Sequence, residues 1–307
     1  MLAGMGGVAY APLVAAVSEA GGFGCLGAST MSPERMQEEI AAVRASTDKP
    51  FGVDLLTAMP GDLVAQVELV IEGGATVFVA GLGVPAAAVD LCHRHGVLVV
   101  NMCGKVDHAR RAVDAGCDVV VAQGTEAGGH TGSVATMPLV PLVVDAVGDR
   151  VPVVAAGGIF DGRGLAAALA LGAEGAWIGT RFIATREARA VAGYKDALVR
   201  SGEDATTVSR AYSGKTMRVL RNEYTAYFDA HPEEIRPFPA QLERAFADQA
   251  FHLGADERVE VDPGVECYPA GQGVGGVTEI VGAGELVARI VEEAEQAIAR
   301  ARRLSGR

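Results

Sequence analysis

The chain has 307 residues, of which 50% are hydrophobic and 5% aromatic, and its formal net charge is −12. This length allows one large domain or two smaller ones with a sizeable core. The acidic excess argues against nucleic acid or an anionic membrane as the main partner. The five cysteines are scattered without a CxxC pair, which argues against a zinc site or a disulfide framework and favours a reducing cytoplasm. No apolar run approaches the ~18 residues of a membrane span.

Short apolar runs recur through the first 184 residues at a spacing typical of strands that alternate with helices. The predicted strands are residues 24–27, 51–55, 76–80, 97–100, 119–122, 153–156 and 176–178. Strands that each cross over through a helix favour an α/β fold of the TIM (β/α)8 barrel type, with a doubly wound sheet as the alternative. The first strand has hardly any room. Either residues 1–4 form a stub of it, or the true start lies upstream.

The strand pattern breaks after residue 184. Residues 185–265 are charged and their pattern is mostly helical, with no convincing strand, which predicts a helical insertion that covers the barrel as a lid. Residues 281–303 return to a regular amphipathic pattern and predict the final barrel helix. The predicted organisation is a barrel of residues 1–184 and 266–307 that is interrupted by a lid of residues 185–265.

One loop with a titratable ring directly follows the predicted strand 119–122. Its sequence, residues 123–132, is Gln-Gly-Thr-Glu-Ala-Gly-Gly-His-Thr-Gly. Ligands bind at this edge of parallel sheets and barrels, and the glycines let a flat or anionic ligand approach the backbone. Histidine suits proton transfer near neutral pH, so His130 is the predicted catalytic residue. The alternative is a loop histidine that bonds to neighbouring backbone. Glu126 is either a general acid/base or a cap for the N–H groups of the loop, and the structural role is expected.

Two further strand ends carry glycine turns, Gly157-Gly158 and Gly179-Thr180. Backbone N–H groups at such turns can form a phosphate cradle, which in β/α barrels typically follows the last two strands. The alternative is that these glycines only serve tight turns. Residues 271–276 match GxGxxG, but too little chain follows for a dinucleotide-binding unit, so a loop near the ligand and a plain loop both stay open. His252 has no partner pattern and is expected to be structural.

Taken together, these segments resemble the nitronate monooxygenase (2-nitropropane dioxygenase-like) family. Flavin-dependent enoyl-acyl-carrier-protein reductases belong to the same superfamily. The likeness lies in residues 5–8, 20–24, 49–53, 123–130, 155–159, 179–182 and 268–273. It implies an FMN-dependent oxidoreductase in which a β/α barrel binds FMN non-covalently beneath a helical second domain.

The resemblance also implies roles for single residues. His130 matches the family's catalytic histidine, and no metal is implied. Met5 and Asp54 would contact the isoalloxazine, and the other implied FMN contacts are Gln123, Gly128, Gly157, Gly158, Trp177, Ile178, Gly179 and Thr180, the last six at the phosphate cradle. Family members usually have Asn at the position of Asp54, and an ionised Asp can accept a hydrogen bond but cannot donate one.

The activity that the resemblance implies is oxidation of alkyl nitronates with O2. His130 would accept a proton from a neutral nitroalkane, and would otherwise orient the nitro group. An NAD(P)H-dependent flavin reductase of enoyl thioesters or quinones and a flavin-free phosphate-binding lyase are the alternatives. The expected partners are a small-molecule substrate and O2 or NAD(P)H, in the cytoplasm, without nucleic acid or membrane and with a homodimer left open.

Overall fold

The computed structural model describes residues 1–58, 61–83, 86–252 and 254–306. Its strands are β1 (Gly24–Gly27), β2 (Phe51–Leu56), β3 (Val77–Gly81), β4 (Leu98–Cys103), β5 (Val119–Gln123), β6 (Gly129–His130), β7 (Val153–Ala156), β8 (Gly175–Trp177), β9 (Thr206–Ser209) and β10 (Met217–Leu220). Its α-helices are α1 (Ala11–Glu19), α2 (Pro33–Ser46), α3 (Leu63–Glu72), α4 (Ala86–Arg94), α5 (Val106–Asp114), α6 (Thr136–Val147), α7 (Gly162–Ala170), α8 (Thr180–Ile183), α9 (Tyr194–Val199), α10 (Glu223–Ala230), α11 (Ala240–Ala247) and α12 (Ala283–Leu304). None of these described helices is long and apolar enough to cross a bilayer.

The predicted strands form one curled parallel sheet in the order β1-β2-β3-β4-β5-β7-β8. A helix connects each strand to the next, so the predicted barrel class is confirmed. The chain start lies between the two sheet edges as a stub strand: the N–H of Leu2 donates to the carbonyl of Phe23 at 2.8 Å, and that of Ala3 to Ile178 at 2.9 Å. Leu2 also forms a parallel bridge with Ile178. The stub therefore joins β8 to the start of β1 and closes the ring.

Strand side chains alternate between two hydrophobic cores because successive residues point to opposite faces of a sheet. The barrel interior is filled by Cys25, Val77, Val79, Val100, Val121, Val154, Ala156 and Trp177. The other face packs against the helices, with Phe78, Val99 and Val120 among its fully buried residues. Helix α12 packs against α7 and α1, so the predicted last helix completes the outer ring.

Residues 185–265 differ from the prediction in one respect. They contain α9, α10 and α11, but also β9 and β10, so the expectation of no strand is wrong. Strand β10 pairs antiparallel with both β9 and β6, which places Met217 opposite His130. Within this mostly helical pattern, β10 ends before Asn222, whose side chain forms a capping box with Thr225 at the start of α10.

A separate hydrophobic core lies within this segment. It contains Tyr212, Val219, Tyr224 and Phe228 and is completed by Cys267. A core of its own is what an independent structural unit requires. We therefore propose that residues 185–265 form the lid, with its small sheet anchored to the barrel through β6.

The stub strand generates a stability prediction. Leu2 is fully buried, whereas Leu304 on α12 is 79% exposed. Replacing Leu2 with Ala is expected to lower the free energy of unfolding by about 2–5 kcal/mol in urea denaturation, because packed methyl groups are lost and a cavity remains. Leu304→Ala is the matched control and should change it by less than ~0.5 kcal/mol. Equal stability of the two variants would contradict closure of the barrel by the stub.

Candidate active site

The carboxyl ends of the barrel strands open into a cavity of about 350 Å³. Lid residues, among them Val191, Phe238 and Phe251, line its other side. The structure brings His130 and all but one of the predicted cofactor contacts to this one cavity: Met5, Asp54, Gln123, Gly128, Gly157, Gly158, Trp177, Gly179 and Thr180. Residues of the segment 185–265 therefore line the cavity at the carboxyl ends of the barrel strands, where the sequence pattern predicts the ligand.

Ile178 is the exception. Its side chain is 3% exposed and packs in the core between sheet and helices, while Trp177 belongs to the barrel interior. Its N–H donates to the carbonyl of Met1 and its carbonyl accepts from Ala3. The prediction that Ile178 lines the phosphate cradle is wrong, because it points to the face opposite Trp177 and its backbone holds the stub strand.

One wall of the cavity has the donors of a phosphate cradle. The backbone N–H groups of Gly157, Gly158, Gly179 and Thr180 find no acceptor in the part of the chain that the structure describes. Gly157 and Gly158 adopt φ of +107° and +71°, a region that residues with a Cβ rarely occupy. A Cβ at Gly157 would also lie 2.6 Å from Oγ1 of Thr136. Four free N–H donors beside one cavity fit an anionic phosphate group.

The loop that matches GxGxxG covers this cradle. The N–H of Gly271 donates to Oγ1 of Thr180 at 2.8 Å, and the N–H of Gln272 donates to the carbonyl of Glu126 at 2.8 Å. A Cβ at Gly128 would lie 2.8 Å from the carbonyl carbon of Ala270, so glycine is required for this close approach. The loop of residues 271–276 therefore lies beside the cradle. This agrees with the alternative of a loop near the ligand rather than a plain loop.

Glu126 has the capping role expected from the sequence. Its carboxylate accepts hydrogen bonds from the N–H of Thr136 at 2.9 and 3.1 Å and from the hydroxyl of Thr136 at 2.9 Å. These contacts hold the loop after β5 against the start of α6. The carboxylate of Glu126 therefore has a structural role.

His130 is fixed from the barrel and from the lid. Its Nε2 lies 3.1 Å from Oγ of Ser213, and Nε2 of Gln123 donates to the carbonyl of His130 at 2.7 Å. Burial, and next the charge of Lys215, lowers the pKa of His130 to about 4. The ring is therefore neutral at physiological pH. Such a weak base is poorly matched to proton abstraction but can orient a substrate by hydrogen bonding.

Asp54 places a carboxyl group in the cavity at the end of β2. Its side chain has no hydrogen-bond partner among the described residues, and burial raises its pKa to about 8. At neutral pH the group is therefore protonated and can donate as well as accept a hydrogen bond. The neutral form can therefore donate, which the ionised form cannot, because burial disfavours the charged carboxylate.

Sequence reasoning missed the polar residues that the lid contributes. Ser213 contacts His130 across 83 positions of the chain. His252, expected to be structural, lines the cavity together with Glu266. No spacing rule connects these residues, since they meet only through the fold of residues 213–266. The one signal is that Glu266 lies two residues before the family-like segment 268–273.

Comparison with known proteins agrees with this geometry. A model of the nitronate monooxygenase family matches residues 1–62 and 56–293. The chain belongs to the nitronate monooxygenase family. The structure of FabK from Thermotoga maritima superposes with a TM-score of 0.87 at 34% identity, covering 98% of this chain and 94% of that one. Nitroalkane oxidase from Streptomyces ansochromogenes gives 0.83 at 29% identity, covering 97% and 96%.

A curated relative in Mycobacterium tuberculosis widens the chemistry of this family. It is named (3aS,4S,5R,7aS)-5-hydroxy-7a-methyl-1-oxo-octahydro-1H-indene-4-carboxyl-CoA dehydrogenase and is 42% identical, over 79% of this chain and 68% of its own length. Monooxygenase, oxidase and dehydrogenase names all denote oxidoreductases. This member of the nitronate monooxygenase family is therefore an oxidoreductase.

The protonated Asp54 generates a prediction for stability against pH. Because the folded state keeps the proton up to about pH 8 while the unfolded chain loses it near pH 4, stability falls as pH rises through this window, by ~1.4 kcal/mol per unit at most. Asp54→Asn removes this decline and should be more stable than wild type at pH 8, with a much smaller difference at pH 5. Urea denaturation at both pH values measures it.

The control for this prediction is Asp48→Asn, because the Asp48 side chain is 89% exposed and keeps its water in the folded state. It should differ from wild type by the same small amount at both pH values. An Asp54→Asn difference that is also independent of pH would show that Asp54 is ionised in the folded protein.

Proposed function

We propose that the protein is an FMN-dependent oxidoreductase that oxidises alkyl nitronates with O2. The observation that carries the proposal is the set of four unpaired backbone N–H groups in the same cavity as the neutral ring of His130. FMN has the phosphate that such donors bind and a flat ring system that suits glycine-lined walls. The cytoplasmic location and a homodimer stay predictions from the sequence.

FMN, when bound, supplies the electron transfer and the reaction with O2. The N–H groups of Gly157, Gly158, Gly179 and Thr180 would hold its phosphate. The protonated carboxyl of Asp54 would hydrogen-bond to a polar group of the ring system. Because this carboxyl is neutral, it places no buried negative charge beside the flavin.

His130 would bind the nitronate. With the Ser213 hydroxyl donating to Nε2, the one N–H donor of the neutral imidazole lies on Nδ1, and it can bind the anionic nitro group without a proton transfer. The lid side chains Phe238, Leu242 and Phe251 line the cavity and would exclude water around this contact. His130 would therefore bind the pre-ionised nitronate, for which no proton has to be removed.

A reductase of acyl thioesters that uses NAD(P)H is the second candidate. The lid wall is extensive and apolar, with Val191, Met217 and Phe238 at the cavity, which suits a larger hydrocarbon group than a small nitronate has. The name of the relative in Mycobacterium tuberculosis specifies a carboxyl-CoA compound. The flavin-free lyase is disfavoured, because no lysine for a Schiff base is found among the described residues that line the cavity.

The proposal predicts a yellow protein. Purified material should show flavin absorbance and release FMN on denaturation, and it should consume O2 when a nitronate is added. Under anaerobic conditions the nitronate should bleach the flavin much faster than NADH or NADPH does. Rapid bleaching by NAD(P)H alone would favour the thioester reductase, and a protein that neither carries nor takes up FMN would contradict both assignments.

The variant His130→Asn tests the role of the imidazole. It should keep FMN and the melting temperature but lose about 10–10³-fold in kcat/KM for the nitronate, because a hydrogen bond to the anionic group is removed. His108→Asn is the matched control, since His108 is exposed on α5 and lies outside the cavity lining. Full activity of flavin-loaded His130→Asn would show that the ring only supports the loop.

A further inference from the structure

The carboxyl group of Asp54 has no partner in the part of the chain that the structure describes. Asp54 is 8% exposed, and the hydroxyl of Ser29 and the N–H of Ala28 donate to its main-chain carbonyl rather than to its side chain. The fully enclosed polar side-chain atom that lacks a partner among the described residues is Nε of Arg44, so the oxygens of Asp54 are open to the cavity. This buried polar group is therefore directed at the ligand.

Two glycines leave space around this carboxyl. A Cβ at Gly4 would lie 2.2 Å from Cβ of Asp54 and 2.8 Å from its Oδ2, and a Cβ at Gly81 would lie 3.7 Å from Oδ1. Both glycines line the cavity as well. Since no side chain of residue 4 or 81 fills the space beside the carboxyl, a flat ligand can approach it there.

The strand that carries Asp54 lies across the barrel from the phosphate cradle. Strands β3, β4 and β5 separate β2 from β7 on one side, and the stub strand, β1 and β8 separate them on the other. FMN with its phosphate at Gly157 and Gly158 would therefore extend its isoalloxazine toward Asp54. Met5 lies along this path, because its Sδ is 3.3 Å from the place that a Cβ of Gly179 would take. The cavity thus places the carboxyl beside the redox-active part of the flavin.

The surroundings of Asp54 offer no cation to pair with it. No lysine or arginine is found among the described residues that line the cavity, and β3 and residues 3–5 and 28–30 have no ionisable side chain. On β1 the thiol of Cys25 stays neutral, because burial and next the charge of Asp54 raise its pKa. Burial raises the pKa of Asp54 to about 8. The other ionisable groups of the described cavity lining are His130, Tyr194, His252, Glu266 and Cys267.

We propose that Asp54 is a catalytic residue whose carboxylate takes up a proton when the flavin gains electrons and releases it when O2 removes them. This inference rests on the proposed function, because it requires bound FMN. An isoalloxazine that gains two electrons and one proton carries a negative charge, which disfavours a carboxylate beside it. For each pair of electrons that a reductant delivers, solvent therefore supplies two protons. One bonds to a nitrogen of the flavin, and the other forms an O–H bond on Asp54.

The pH dependence of flavin reduction tests this coupling. FMN-loaded wild type and Asp54→Asn are equilibrated with a reference redox dye without O2, since Asn can donate a hydrogen bond but takes up no proton. Between pH 8 and 9.5 the equilibrium constant for reduction should fall by up to ~100-fold per pH unit in wild type, where two protons accompany two electrons, and by ~10-fold in the variant. Near pH 6 Asp54 holds its proton in both states of the flavin, so the two proteins should show the same dependence.

Two further variants are the controls. Asp54→Glu keeps a carboxyl on β2 and should restore the steeper dependence above pH 8. Asp48→Asn should behave as wild type, because the Asp48 side chain is 89% exposed and lies outside the cavity lining. The same dependence in wild type and Asp54→Asn over the whole pH range would overturn the proposal.

A second measurement requires no variant that binds FMN. The reduced-minus-oxidised infrared difference spectrum of the FMN-loaded wild type at pH 9 should gain the C=O band of a protonated carboxyl, and this band should shift when the aspartates carry ¹³C. Absence of the band would overturn the proposal.

Failure of the proposed function has a different signature. Neither measurement uses a nitronate, so an FMN-loaded protein that shows the additional proton but does not oxidise nitronates would contradict the proposed substrate alone. A protein that oxidises nitronates without the additional proton would contradict the role of Asp54 alone. A protein that binds no FMN would contradict both.

Discussion

The constraint on which the site depends is that backbone N–H groups at the carboxyl ends of β7 and β8 have no partner inside the barrel. Backbone N–H groups without an acceptor in the protein are satisfied by a ligand or by water. Glycines at residues 157 and 158 give the backbone its positive φ there, and the loop around Gly271 packs over these turns through Thr180 and Glu126. The barrel end thus offers donors that suit an anion, and the lid makes the space next to them largely apolar.

Burial sets the charges of the other site residues. Asp54 holds a proton up to about pH 8 and His130 remains neutral down to about pH 4, in both cases chiefly because the cavity disfavours the charged form.

Much of the barrel could be predicted from sequence because buried parallel strands are continuous apolar runs, and the runs that precede His130 and Gly157 are such strands. Ile178 was misplaced because neighbouring strand residues face opposite sides, and a run that is apolar at every position does not show which side is which. Strands β9 and β10 were missed because each has four residues and their sheet is completed by β6, which is distant in sequence.

The pair of His252 and Glu266 could not be predicted either, since no motif marks it and only loop geometry joins its members.

The barrel end is where sequence and structure agree best, and the central claim about it is that the four N–H groups bind the phosphate of FMN. Comparing the dissociation constants of FMN and riboflavin for the flavin-free protein, by quenching of flavin fluorescence, tests this most directly. Since hydrogen bonds to a charged group contribute about 1.5–3 kcal/mol each, FMN should bind at least ~100-fold more tightly than riboflavin. Equal affinity for the two flavins would contradict the account.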